Sequence, residues 1–198
     1  MMPFPVRSSG LRSVSCLLAA GLLFGLAGPA QAKKQTPDQE RADIQKMEKE
    51  TLARLYKLNP GAKAAVEKAA GYAVFSNFGM KIFVTGGGSG KGVAVDRASG
   101  SRTYMKMVEV QAGLGVGIKK FSLVWVFGTK SALEQFKDSG WEVGGQATAA
   151  AKTADKGGAW AGAMSIAPEV WLYQMTKDGL ALELTAKGTK YYKDKDLN

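Results

Sequence analysis

The sequence predicts an α+β protein, with N-terminal helices followed by a mostly antiparallel, glycine-rich sheet or barrel-like sandwich with one inserted short helix. Three observations carry this expectation. Apolar residues recur at helical spacing as far as Gly71. From Tyr72 onward the apolar residues alternate with a period of two, broken by turn residues. Only the segment from Lys130 to Lys137, which ends near Gly140, returns to a helical pattern.

The first helix starts at Thr36-Pro37-Asp38-Gln39, where Thr caps, Pro takes the first helical position and Gln39 completes a capping box. It runs to about Leu58, with Ile44, Met47, Thr51, Leu55 and Leu58 on one face. Glu40, Arg41, Lys46, Glu48, Lys49 and Glu50 occupy the other. A membrane-surface helix is one reading of this amphipathic pattern. The alternation of acids and bases on the polar face favours a helix packed on its own domain, with Ile44, Met47 and Leu55 buried. A second helix starts at Asn59-Pro60 and ends with Gly71 as C-cap.

Period-two strands are expected at Tyr72–Ser76, Lys81–Thr85, Lys91–Asp96, Arg102–Val110, Ala112–Ile118 and Phe121–Phe127. Turns are expected at Asn77, Gly79, Asp96–Gly100 and Lys119-Lys120. Beyond the inserted helix, further strands are expected near 159–166, 169–175 and 180–185. Glycine or alanine occupies alternate positions in several of these runs, as at 86, 88, 90 and 92. A glycine stripe weakens a strand unless another backbone approaches closely or the strand bends sharply, so close sheet packing is expected. Trp125, Trp141, Trp160 and Trp171 are expected in the core rather than at a membrane.

The N-terminus reads as a secretory signal over residues 1–32. Arg7 and Arg12 supply the positive region, 17–26 the apolar core, and Ala30-Gln31-Ala32 the cleavage site. The expected mature chain is an amphipathic helix over 33–58 followed by a domain over 59–198, in the periplasm or at the outer envelope. Its single cysteine, Cys16, leaves with the signal.

Net charge is +10. The segment 71–128 carries seven bases and two acids, whereas 129–198 is balanced. A basic surplus attracts nucleic acid or an anionic membrane. Export removes the first partner and leaves an anionic phospholipid surface as the expected one. The chain has no histidine. Ser-His-Asp, Cys-His and the usual zinc sites therefore cannot be built. No catalytic residue, metal site or cofactor is expected, although a hydrolase using Ser or Asp without histidine stays open.

The stretch VTGGGSGKGVAV resembles a phosphate-binding loop only on the surface. Thr85 stands where the leading glycine belongs and Gly92 where the magnesium-binding hydroxyl belongs. A strand, not a helix, follows, which also excludes a dinucleotide-binding turn. The reading that remains is a glycine-rich hairpin.

Four segments in order, GYAVFSNFG, KIFVTGGGSGKGVAV, QAGLGVGIKKFSLVWVF and SALEQFKDSGWEVGGQATAAA, resemble the SYLF domain. The tail GLALELTAKGTKYYKDKDLN resembles that family's closing strand, so the likeness covers roughly Pro60 to Asn198. The family is the lipid-binding module of yeast actin-patch proteins and of an SH3-containing eukaryotic relative, and it occurs in many secreted bacterial proteins. The resemblance implies binding of phosphoinositides or other anionic phospholipids without enzymatic activity. The segment RTYMKM replaces the eukaryotic Trp-Ser-x-Pro and no SH3 domain is present, so actin binding is not carried over. Phosphatidylglycerol or cardiolipin would be the natural anions of a bacterial envelope.

The resemblance aligns the family's glycine-rich segment with Gly86–Gly92. Lys91 is therefore the first lipid-binding candidate, beside the backbone of Gly88 and Gly90. Lys119 and Lys120 follow, at the expected hairpin tip, and then Arg97, Arg102 and Lys106. The other function class left open is a structural or stress-related envelope protein binding an acidic protein or polysaccharide.

Overall fold

The structure, a computed structural model, describes residues 35–82, 85–112, 117–139, 142–143, 152–153, 160–181 and 189–198. The expected signal and its cleavage site lie outside these residues, as do Trp141 and most of the segments expected as strands at 112–118 and 180–185, whereas the strand expected near 159–166 is a turn at 160–162 followed by a strand from Met164.

Helix α1 (Pro37–Leu58) starts where the capping box placed it. The Thr36 hydroxyl accepts from the Gln39 N–H, and the Gln39 side chain accepts from the Thr36 N–H. Helix α2 (Gly61–Lys68) is shorter than expected. Gly71 is not its C-cap but the first residue of strand β1 (Gly71–Ile82). A Cβ there would meet Leu133 and the Val95 carbonyl, so close packing explains this glycine.

Strands β1, β2 (Thr85–Asp96), β3 (Arg102–Ala112) and β4 (Gly117–Phe127) are longer than the sequence suggested. The turn expected around Asn77 and Gly79 is uninterrupted β1, paired on both sides. The expected glycine hairpin at 86–92 is the middle of β2, and the expected tip at Lys119-Lys120 lies inside β4. Asp96–Gly100 does form a turn, in which the Asp96 carboxylate accepts from the Ala98 and Ser99 N–H groups. Helix α3 (Lys130–Ser139) is the inserted helix. Then come β5 (Glu142–Val143), β6 (Lys152–Thr153), β7 (Met164–Ala167), β8 (Val170–Thr176), β9 (Gly179–Ala181) and β10 (Thr189–Lys193).

These ten described strands form one sheet in the order β5-β10-β3-β2-β1-β4-β8-β7-β6, with β9 on β8. Every pairing is antiparallel. Strands β1 to β4 make a Greek key, because β4 returns to lie beside β1.

The sheet is strongly curled. Four strand spacings separate β10 from β4, roughly 19 Å in a flat sheet. Yet the Tyr191 ring on β10 lies 5.4 Å from Trp125 on β4 and 4.9 Å from Phe75 on β1. Phe136 of α3 sits inside the curl, within 5.0–6.1 Å of Phe75, Trp125, Phe127 and Tyr191. The outer face carries a second core of Val74, Val93, Tyr104, Val124 and Tyr173 under Ile44 and Leu55 of α1 and Val66 of α2. Both faces are thus covered, which accounts for fully apolar runs such as Leu123–Phe127.

Curling also accounts for part of the glycine stripe. By strand alternation, Gly90 and Gly92 share the inner face with Ala94. A Cβ on Gly90 would lie 2.5 Å from the Ser76 carbonyl oxygen and 2.8 Å from Met107 Cγ. On Gly92 it would overlap the Val74 carbonyl and the Phe75 ring.

Candidate functional site

The outer face changes character along its strands. One row across β3, β2, β1 and β4 is Tyr104, Val93, Val74 and Val124, all buried. Two residues further along each strand, the row reads Lys106, Lys91, Ser76 and Ser122. The next row contributes Val108 from β3, Ser89 from β2 and Lys120 from β4. Helix α1 runs beside these rows and leaves a groove of about 800 Å³ between itself and the sheet. Among the described residues, the groove's cations are Arg54, Lys91, Lys106, Lys120 and Lys177, and its one acid is Asp43. Ile44 and Met47 of α1 add apolar wall, and exposed Val108 and Tyr192 stand at its edge. The volume is in the range of small-molecule sites.

Three of the cations have carboxylate partners within the chain: Lys91, Lys106 and Lys177, the last 3.9 Å from Asp178. Lys91 pairs with Glu40 of α1. Lys106 lies 2.8 Å from the buried Asp194 carboxylate and 3.4 Å from Asp196. Asp194, with Asp196 behind it, raises the Lys106 pKa. The Arg54 guanidinium donates to the Thr176 carbonyl.

Arg102 lies outside the groove, with its Nε 3.5 Å from Glu48 Oε2. Glu48 is buried on α1, and its other oxygen accepts from the Tyr72 hydroxyl at 2.7 Å. Burial, reinforced by this bond, raises the Tyr72 pKa well above that of a free phenol. The Tyr72–Glu48–Arg102 cluster therefore pins α1 to the sheet. Arg97 is exposed in the β2–β3 turn, near Arg102 and away from the groove.

The sequence-based candidates thus divide. Lys91, Lys106 and Lys120 come together, whereas Arg97 and Arg102 lie toward the other end of β2 and β3. Lys119 pairs with Gly79 in β4, and its side chain lies outside the described residues. Gly88 and Gly90 are flanked by β1 and β3, so their backbones serve the sheet ladders rather than a free anion cradle. Sequence reasoning missed Arg54, Lys177 and the serines at 76, 89 and 122. Hydroxyls at the polar positions of alternating strands were the available signal. Among the described residues no group of three or more potential metal ligands occurs, and no helix is long and apolar enough to cross a membrane.

Fold and groove together define an α+β protein with a cation-lined groove open beside its first helix. Residues 108–198 match the family described as Ysc84, Las17-binding protein actin regulator. The chain is also 34% identical over 167 residues to beta cell expansion factor A of Aeromonas veronii, across 82% of this chain and 60% of that protein. The chain therefore belongs to the Ysc84 (SYLF) family, as its motifs suggested. Neither the family description nor the relative's name denotes an enzyme.

Proposed function

We propose that this is a non-enzymatic, exported protein that binds anionic phospholipid surfaces through the groove between α1 and the sheet. One observation carries the reading: among the described residues, five cations and a single acid line one groove with apolar walls. Headgroup phosphates meet the ammonium groups, and Val108 and Tyr192 rest at the acyl boundary. Phosphatidylglycerol and cardiolipin fit this chemistry. The A-x-A site at 30–32 supports export, and mass spectrometry of the mature protein is expected to find Lys33 at the N-terminus. An unprocessed Met1 in the membrane fraction would refute that part.

Each lysine near an anionic membrane contributes on the order of 1 kcal/mol. The triple reversal Lys91→Glu, Lys120→Glu and Lys177→Glu is therefore expected to weaken binding to phosphatidylglycerol vesicles by about a hundredfold or more. Circular dichroism checks that the variant folds. Wild-type binding is expected to fall with added salt and to be absent on phosphatidylcholine. A folded triple variant with wild-type affinity would move the site elsewhere. Salt-sensitive binding to an acidic polysaccharide, with none to vesicles, would favour an envelope-matrix role instead.

A further inference from the structure

The two polar rows are set into the sheet rather than raised on loops. Ser76 and Ser122 are direct cross-strand neighbours, and Lys91 and Lys106 continue the same row. Ser89 and Lys120 follow in the next row on the same face. Opposed side chains on paired strands have Cβ atoms about 4.5–5.5 Å apart, so the two hydroxyls can donate to one phosphate together. Ile44 and Met47 line the groove beside these rows from α1. Ser76, Ser89, Lys91 and Lys120 are open to solvent, and the space of about 800 Å³ between helix and sheet has room for one amphiphile rather than a headgroup layer.

We propose that the groove takes one phosphate-headed amphiphile at a time, withdrawn from the bilayer. Its phosphate sits on Ser76 and Ser122 between Lys91 and Lys120, and its alkyl chain runs along Ile44, Met47 and Val108. The proposal rests on the anion-binding reading of this face and adds a head site, a tail path and a stoichiometry of one. Charge complementarity selects the occupant: the cations call for an anion, the paired hydroxyls for an oxyanion, and the apolar wall for a chain.

The test is calorimetric titration of the full chain with dodecyl phosphate below its micelle concentration. Saturable binding with one molecule per chain is expected. Dodecyltrimethylammonium is expected not to bind, and inorganic phosphate to bind at least tenfold more weakly. Ser76→Val with Ser122→Val is expected to weaken dodecyl phosphate at least tenfold. Val108→Glu, an exposed substitution that leaves both hydroxyls in place, is expected to weaken dodecyl phosphate and not inorganic phosphate. It provides the second arm if the serine variant does not fold. Vesicle binding without saturable dodecyl phosphate binding overturns the single-molecule site and leaves the surface reading standing. Inorganic phosphate binding as tightly as dodecyl phosphate overturns the tail path. Wild-type affinity in the folded serine variant overturns the head site, and failure to bind either vesicles or amphiphile overturns both readings.

Discussion

Gly92 lies on the crowded inner face, where an added Cβ would overlap the Val74 carbonyl and the Phe75 ring. Gly92→Ala is expected to destabilise the fold by about 1–3 kcal/mol, the usual cost of overpacking. Thermal melts followed by circular dichroism measure this, and an unchanged Tm would mean that the curl relaxes freely. Gly100 stands in the opposite situation. Its φ of +71° suits glycine and nothing lies within 4 Å of a Cβ there, so Gly100→Ala meets only backbone strain. The alternating glycines at 86, 88, 90 and 92 were legible in the sequence as a stripe needing close packing. Which backbone approached was not, because Ser76 and Val74 come from a different strand, brought alongside by tertiary pairing.

Helix α1 was legible almost to the residue, since its capping box, proline and apolar spacing are local signals. Its buried face contains Ile44 and Leu55, with Met47 partly buried, as the spacing required. The strands were less legible. Lys119-Lys120 and the glycines looked like turn chemistry, but β1 and β4 are paired across these positions. Tertiary pairing overrode local propensity there, as is common for β structure. The groove was half legible: crowded cations between 81 and 120 pointed to the sheet face that holds the groove, but the carboxylates that answer them come from α1 and the C-terminal segment. Glu40 holds Lys91 in the place a headgroup would take. Glu40→Gln is expected to tighten binding to phosphatidylglycerol vesicles severalfold, with little effect on Tm because an exposed ion pair contributes about 0–1 kcal/mol. Weaker binding in that variant would show that Glu40 positions Lys91 rather than competing for it.

At the scale of the whole molecule, the absence of histidine fixes the pH response. No side chain with an ordinary pKa between about 5 and 8 is available, so Tm is expected to be flat from pH 6 to 8. The acid limb comes from carboxylates such as Asp96, lowered chiefly by the Ser99 N–H, and Asp138, lowered chiefly by Lys193. Their contribution is present above the ordinary value of 3.8 and is lost as pH falls through the lower folded values. Lys106 acts in the opposite sense: its raised pKa stabilises fully below 10.5, and the contribution is lost as pH rises through the folded value. A transition near pH 6.5 in thermal melts would contradict this account. The position of β10 has a consequence for synthesis. The strand lies between β3 and β5, and Tyr191 completes the ring cluster around Phe136. A chain that emerges N-terminus first, from the ribosome or from an export channel, therefore cannot close its interior around Phe75, Trp125 and Phe136 until Lys193 has emerged. Until then β3 presents an unpaired edge and the aromatic rings stay open to solvent, the conditions under which chains associate with one another. Vectorial folding of this domain thus ends with its last strand, and a chain released before β10 is a substrate for holding chaperones and proteases rather than a smaller working protein.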